Sequence, residues 1–434
     1  MDKMADVLGR AGAWCGQNKY LSAIKNAFQN FMPLTIAGAI GVLWCNVLVN
    51  DQTGLGIFFK PIMALDFLNP AFQAVNFCTI SCITVGITLG IAQEIGVWNM
   101  GAEKAGYIPG LVGLAAWLSV TNTSHMVEGA KEAFTGIAGN ELGATGLFTG
   151  MIIGVLSVEL FCFFEKQDAL KIKMPEQVPP GVARAFEVLV PATITLIITA
   201  CIGSACYNLT GLYLNDVIKN GIQGPLGAVG ATIPGVMIIY LVIMLFWLVG
   251  IHGNNMLSAV KEALFTPLAL ENVEAFNKGE TPKNIINMYF LQMCGEFGGS
   301  GVTLGLVIAI MIFGKREDNK AIATLSLVPG LFNINETVTF GIPMVLNPIL
   351  GIPFVFAPLI TIIIGYVLTV IGFCPVACLT VPWTTPPIVF GFLACGANVM
   401  GAVTQAILIV VSTVIYTPFL ISYEKYQNKQ AAEA

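Results

Sequence analysis

From Ala321 to Tyr423 the chain contains no Lys, Arg, Asp or His, and a single acid, Glu336. A stretch this long and this apolar cannot cover itself with water-loving side chains. The bias extends over all 434 residues, of which 56% are hydrophobic and 10% charged; soluble domains carry about 25% charged residues. The sequence therefore specifies an all-α polytopic membrane protein, with helices of about 20 apolar residues crossing the bilayer. The net charge of −5 argues against nucleic acid as a partner and says nothing of the substrate; the apolar composition makes the lipid bilayer the first partner. Two His in the whole chain exclude a multi-His metal site. The scattered Cys, with no CxxC among them, read as small core residues, so neither metal nor cofactor is expected.

Apolar runs place spans near residues 31–50, 76–93, 104–121, 145–164, 187–207, 229–250, 297–314, 353–373 and 400–422. Residues 251–270, interrupted by Gly253, Asn254, Asn255, Lys261, Glu262 and Pro267, count as a discontinuous span and bring the total to about ten crossings. Residues 5–30 and 208–228 read as amphipathic helices on the membrane surface. Two stretches rich in Pro and Gly, 321–352 and 374–398, read as re-entrant segments that enter and leave on one side. The basic loops 165–185 and 315–320 and the tail after Lys425 then share one face. By the positive-inside rule that face, with both termini, is cytoplasmic. The polar linker 165–185 suggests a division into 1–185, a scaffold and oligomer-forming half, and 186–434, the substrate half, which holds the strongly broken segments. Non-helical backbone survives at membrane depth only where protein buries it or water lines it, and transporters bind substrate at such breaks.

The candidate site residues follow from that rule. A carboxylate in hydrocarbon costs roughly 2.5 kcal/mol or more, so Glu336 needs a function. It lies beside Asn333 and Asn335, whose amides are planar donor–acceptor pairs, and the group suits a polyol, a cation or a proton relay. His252 follows a long apolar span and is flanked by Gly250, Gly253, Asn254 and Asn255; an imidazole there can donate, accept or act as a base near neutral pH. Trp383 with Thr384 and Thr385 offers an aromatic plate next to hydroxyls, a means of gripping a sugar ring. Glu296 opens the glycine run Gly298-Gly299-Ser300-Gly301, which lines a cavity or brings helices close. Lys261 and Glu262 are adjacent charges that the sequence leaves without a role.

The strings Gly250-Ile251-His252-Gly253, Asn333-Ile334-Asn335-Glu336 and Phe340-Gly341-Ile342-Pro343-Met344-Val345-Leu346-Asn347-Pro348 resemble the membrane-embedded IIC component of the bacterial phosphoenolpyruvate-dependent sugar phosphotransferase system, in its lactose/cellobiose/diacetylchitobiose family. The resemblance covers essentially the whole chain. Thr337 departs from it, standing where the family has Pro. The resemblance implies a homodimer in the bacterial cell membrane, joined through the N-terminal half, with a disaccharide held in the C-terminal half between two re-entrant hairpins. Diacetylchitobiose or cellobiose is the expected sugar. It also implies that the sugar's 6-hydroxyl is phosphorylated by a phosphocysteine of the cytoplasmic IIB protein, itself charged through IIA, and that His252 and Glu336 sit beside that hydroxyl as the catalytic pair. Gly253, Asn254, Asn255, Glu296, Asn333, Asn335, Trp383, Thr384 and Thr385 are the expected substrate contacts. On this reading the chain phosphorylates nothing without its partner. The competing reading is an ion-coupled secondary sugar transporter in which Glu336 and His252 are the coupling site; the scarcity of further intramembrane acids in the second half speaks against it.

Overall fold

The structure is a computed structural model that describes residues 10, 14, 17–51, 55–125, 134–175 and 177–433. It is almost wholly helical; the described strands are the short antiparallel pair Ser124–His125 and Phe134–Thr135. Among the described residues six helical runs are long and apolar enough to cross a membrane: Lys19–Leu48, Lys60–Met100, Ala144–Glu165, Pro180–Thr210, Gly351–Val370 and Val399–Gln430. Ile108–Val120, Ile233–Leu248 and Leu304–Phe313 are shorter apolar helices.

Three boundaries differ from the sequence expectation. The part of the expected surface segment 5–30 that is described does not stop before the first span: Lys19–Leu43 is one helix that continues through a π-helical turn, Trp44–Leu48. Of Lys19 and Lys25, which suggested a water-facing stripe, Lys19 faces protein. Lys19 pairs with Glu159 at 2.5 Å, and the Asn26 amide donates to Glu94 at 2.9 Å. Residues 258–277 form an unbroken helix through Pro267, so the interruption predicted across 251–270 is confined to the turn that precedes it. The expected span 297–314 is helical only over Leu304–Phe313; its first residues belong to a buried glycine turn that separates this helix from Met288–Gly295. Gly298, Gly299 and Gly301 have φ between +71° and +87°, which a right-handed helix cannot contain.

Internal contacts gather the chain into two compact units. One comprises Gln17–Gly38 and Ala74–Gly227, the other Ala39–Gln73 with residues 228–433. The expected 1–185 and 186–434 halves are a division of roles; these units are a division of compactness, and helix Pro180–Thr210 belongs with Ile108–Val120 and Ala144–Glu165 in the first.

In the first unit, continuous helices pack through small residues. A Cβ added at Gly113 would lie 2.3 Å from the Ala92 Cβ, and one at Gly150 would lie 2.2 Å from the Thr88 hydroxyl oxygen. Backbones therefore approach closely, which is how helices gain dispersion energy where lipid removes any hydrophobic advantage. Ala116, Trp117, Val120 and Ile153 form a buried cluster between them. At one end Glu165, 1% exposed, accepts from Lys104 and Arg184, each at 2.9 Å, and Arg184 also reaches Glu187 at 2.7 Å.

In the second unit the long helices Gly351–Val370 and Val399–Glu433 accompany a set of short ones: Gly253–Met256, Met288–Gly295, Leu304–Phe313, Glu336–Gly341 and Val389–Ala394. The chain between Val370 and Val389 is irregular. Its backbone is satisfied by amides from elsewhere. The Ala377 carbonyl accepts from both Asn272 and Asn287 at 3.0 Å, and the Gln405 side-chain oxygen accepts from the backbone of Ile388 and Gly391 at 2.8 Å. Leaving such groups unpaired at membrane depth would cost several kcal/mol each.

Candidate functional site

Helix Ile233–Leu248 ends in the turn Val249-Gly250-Ile251, where Gly250 takes φ +84°. His252 caps the short helix that follows: its Nδ1 accepts from the Asn255 backbone N–H at 3.2 Å. That bond uses the Nδ1 lone pair, so in the neutral ring the proton sits on Nε2. The ring is held from behind by Trp247, with centroids 4.4 Å apart. Gly253 is buried against the carbonyl of Ile243, which a Cβ would strike at 2.0 Å. It serves the turn's close packing, and Asn255 is exposed on the same turn.

Glu336 begins helix Glu336–Gly341 after the break at residues 332–335. Its Oε1 lies 3.8 Å from His252 Nε2. Both side chains remain open, 47% and 38% exposed respectively, while the elements that carry them are packed. The two groups singled out in sequence thus meet from two separate chain breaks, with the Nε2–H facing the carboxylate and room beside both. Leu346 N–H donates to the Leu248 carbonyl at 2.8 Å and ties the two breaks together at the backbone.

The asparagines are spent inside the protein. Asn335, 4% exposed, donates to the Ser300 carbonyl at 2.7 Å. Asn333, at φ +63°, accepts from Gly298 N–H at 2.7 Å and donates to the carbonyls of Trp383 and Thr385 at 2.5 and 3.2 Å. It thereby joins the glycine turn, the Glu336 segment and the Trp383-Thr384-Thr385 segment. Trp383 is 44% exposed. Its backbone is fixed while its ring is free to meet a ligand. Asn254 donates to the Ser300 hydroxyl at 2.9 Å and accepts from Lys261 at 3.1 Å.

Glu296 does not stand alone. Lys261 forms an ion pair with it, and the Tyr240 hydroxyl donates to it at 2.7 Å. Lys261 is 6% exposed, so the lysine without a role is a buried cation with a dedicated carboxylate. Tyr240, Ser300 and Gln405 were not expected to take part. Ser300 lies in the glycine run that sequence had marked, but nothing in hydropathy distinguishes Tyr240 or Gln405 from their apolar neighbours. Among the described residues no group of three or more His, Cys, Asp or Glu side chains is placed to hold a metal ion. A carboxylate and an N–H donor side by side, with an exposed aromatic ring on a segment tied to theirs through Asn333, can hold a neutral hydroxyl-bearing molecule.

Residues 25–358 match the family described as "Phosphotransferase system, EIIC". The chain is 33% identical over 429 residues to the oligo-beta-mannoside-specific EIIC component of Bacillus subtilis, covering 98% of this chain and 94% of that one. It is 29% identical over 486 residues to the cellobiose-specific EIIC component of Lactococcus lactis, covering 98% of each. Among solved structures it is similar to the transporter ChbC, the IIC component of an N,N'-diacetylchitobiose-specific phosphotransferase system. That likeness has a TM-score of 0.88 and 30% identity, over 97% of both chains.

Proposed function

The chain belongs to the phosphotransferase system EIIC family, and on that premise we propose that it carries a β-linked disaccharide across the bacterial cell membrane and presents its 6-hydroxyl for phosphorylation. The function is that of the sugar-specific membrane component, working with IIB and IIA. Cellobiose or diacetylchitobiose is the substrate we favour, from the names of the relatives above. The observation that carries the site is the 3.8 Å approach of His252 Nε2 to Glu336 Oε1 with both side chains open.

The roles follow from the hydrogen bonds. With Nδ1 occupied, His252 offers Nε2–H and is a donor in its neutral form. Glu336 is the group with free lone pairs. The sugar hydroxyl donates to Glu336, His252 steadies the carboxylate and the hydroxyl oxygen, and the proton passes to Glu336 as the hydroxyl attacks the phosphorus of the IIB phosphocysteine. Phosphorus–sulfur cleavage returns the thiolate to IIB and leaves the sugar 6-phosphate, which departs to the cytoplasm. Such transfer depends mainly on positioning and electrostatics, with general-base help worth about 10²–10⁴-fold. Trp383 supplies a face for a sugar ring, with Thr384 and Thr385 beside it. We place both termini in the cytoplasm and the homodimer contact in the N-terminal half, from the basic loops 165–185 and 315–320 and from the concentration of broken helices in the other half.

The test is a pair of measurements on monodisperse Glu336→Gln and His252→Ala: equilibrium sugar binding and relay-dependent phosphorylation. Glu336→Gln should lower both. His252→Ala should lower phosphorylation more than binding. Wild-type values in both assays remove the residue from the site. An ion-coupled carrier would instead move labelled sugar unmodified in the absence of the phosphorelay.

A further inference from the structure

His252 and Glu336 are 84 residues apart in sequence, from 252 to 336, and at 3.8 Å the pair is too long for a strong mutual hydrogen bond. Their spacing is set elsewhere. Each sits on a short helix, Gly253–Met256 and Glu336–Gly341, too brief to hold its own place. Each helix is anchored to the same third residue. On the His252 side, the Asn254 amide donates to the Ser300 hydroxyl at 2.9 Å. On the Glu336 side, the Asn335 amide donates to the Ser300 carbonyl at 2.7 Å.

Ser300 itself is 5% exposed and cannot shift. Its turn is pinned by the last helix: Tyr416 O–H donates to the Gly301 carbonyl at 2.7 Å and Ser412 O–H to the Val302 carbonyl at 2.9 Å. Gly299 faces Asn335 so closely that a Cβ would meet the Asn335 Cβ at 2.7 Å. The chain has left no slack on that side.

We propose that Ser300 is a positioning residue for phosphoryl transfer: its hydroxyl and its carbonyl register the His252 turn against the Glu336 turn. It touches neither the sugar nor the phosphorus. The inference rests on the reading of His252 and Glu336 as the reacting pair. It goes beyond that reading in assigning their separation to a residue outside the opening. It also gives Asn254 and Asn335 the role of links and not of sugar contacts.

The experiment uses the full chain, purified in lipid nanodiscs, with the phosphorylated IIB relay. Ser300→Ala removes the hydroxyl and leaves the carbonyl. Sugar affinity should stay within about threefold, because the groups that grip the rings are untouched. Phosphorylation at saturating sugar should fall about ten- to a hundredfold, the scale at which a misplacement near 1 Å acts on an oriented reaction. Asn254→Ala should do the same. The double variant should be no slower than the slower single one, since both remove one bond.

A wild-type phosphorylation rate for Ser300→Ala overturns the inference. So does a loss of affinity equal to the loss of rate, a double variant whose defects multiply, or a Ser300→Ala chain that is no longer monodisperse. Glu336→Gln in the same assay separates the two readings. If it too is wild type, the reacting pair has been misassigned; if it is inactive while Ser300→Ala is normal, only the positioning role falls.

Discussion

The two compact units solve the same membrane problem by opposite means. In the first, comprising Gln17–Gly38 and Ala74–Gly227, long helices such as Ala144–Glu165 and Pro180–Thr210 satisfy most of their own backbone, so what remains is chiefly to fit surfaces together. Gly113 and Gly150 do this by having no side chain. Glu165, buried at the end of helix Ala144–Glu165, takes two cations. In the second, helices stop at membrane depth, and the open backbone is closed by amides and hydroxyls: Asn333, Asn335, Asn272, Asn287, Gln405, Ser412 and Tyr416. Small residues build a surface; amides build an opening. The second arrangement makes many single side chains indispensable.

The sharpest way to break this comparison is to substitute one carboxylate in each unit. Glu336→Gln should leave the fold intact and lower relay-dependent phosphorylation by at least about 10²-fold, the lower end of general-base contributions. Glu165→Gln should do the reverse, leaving phosphorylation per folded molecule unchanged and lowering thermal stability. Equal loss of activity in both, measured per monodisperse protein, would abolish the distinction.

Next in size is the effect of filling a glycine. Gly301→Ala places a Cβ 2.4 Å from the Phe354 ring at a position with φ +84°. It should cost about 1–3 kcal/mol from backbone strain alone, and more with the clash. Gly113→Ala meets Ala92 at normal helical φ and is charged for the clash only, about 1–3 kcal/mol. Detergent-resistant melting temperatures should rank Gly301→Ala below Gly113→Ala; the opposite order would mean that surface fit matters more than the turn.

Removing one amide is milder. Asn335→Ala leaves the Ser300 carbonyl without its donor and should cost about 1–3 kcal/mol, with phosphorylation falling further than stability explains. Smallest is a pair outside the bilayer. Asp318 accepts from Arg316, with a shortest contact of 2.6 Å. That hydrogen bond holds its carboxyl below the ordinary range. Its contribution is present at neutral pH and is lost as pH falls through the depressed value. Because Asp318 is about half exposed, Asp318→Asn should change stability by less than about 1 kcal/mol and flatten only the acid limb.

How much of this was written in the sequence depends on range. The fold class and most spans follow from hydropathy, and the breaks at 332–335 and between Val370 and Val389 from proline and glycine, which act locally. Glu336 and His252 stood out because ionisable groups are costly in hydrocarbon. The expected span 297–314 failed because hydropathy does not register the sign of φ, although Gly298-Gly299-Ser300-Gly301 was the visible clue. The surface segment 5–30 misled because Lys19 has a protein partner, Glu159, far along the chain, and periodicity cannot tell a salt bridge from water. Asn333 and Asn335 were noticed for the right chemistry, but their partners, Gly298, Trp383 and Ser300, lie beyond any local pattern. Lys261 was legible as an anomaly and illegible as a pair, for the same reason.

The anchoring of the glycine turn by Tyr416 and Ser412 also sets an order of events during synthesis. The carbonyls of Gly301 and Val302 leave the ribosome more than a hundred residues before the hydroxyls that pair with them, at sequence separations of 115 and 110. Helix Leu304–Phe313, of 10 residues, is too short to cross a bilayer by itself, about 20 being needed. A nascent chain therefore cannot complete this turn until its last helix arrives. A chain released before Ser412 leaves the Gly301 carbonyl without the Tyr416 donor and the Val302 carbonyl with the Gly305 N–H alone, at 3.1 Å.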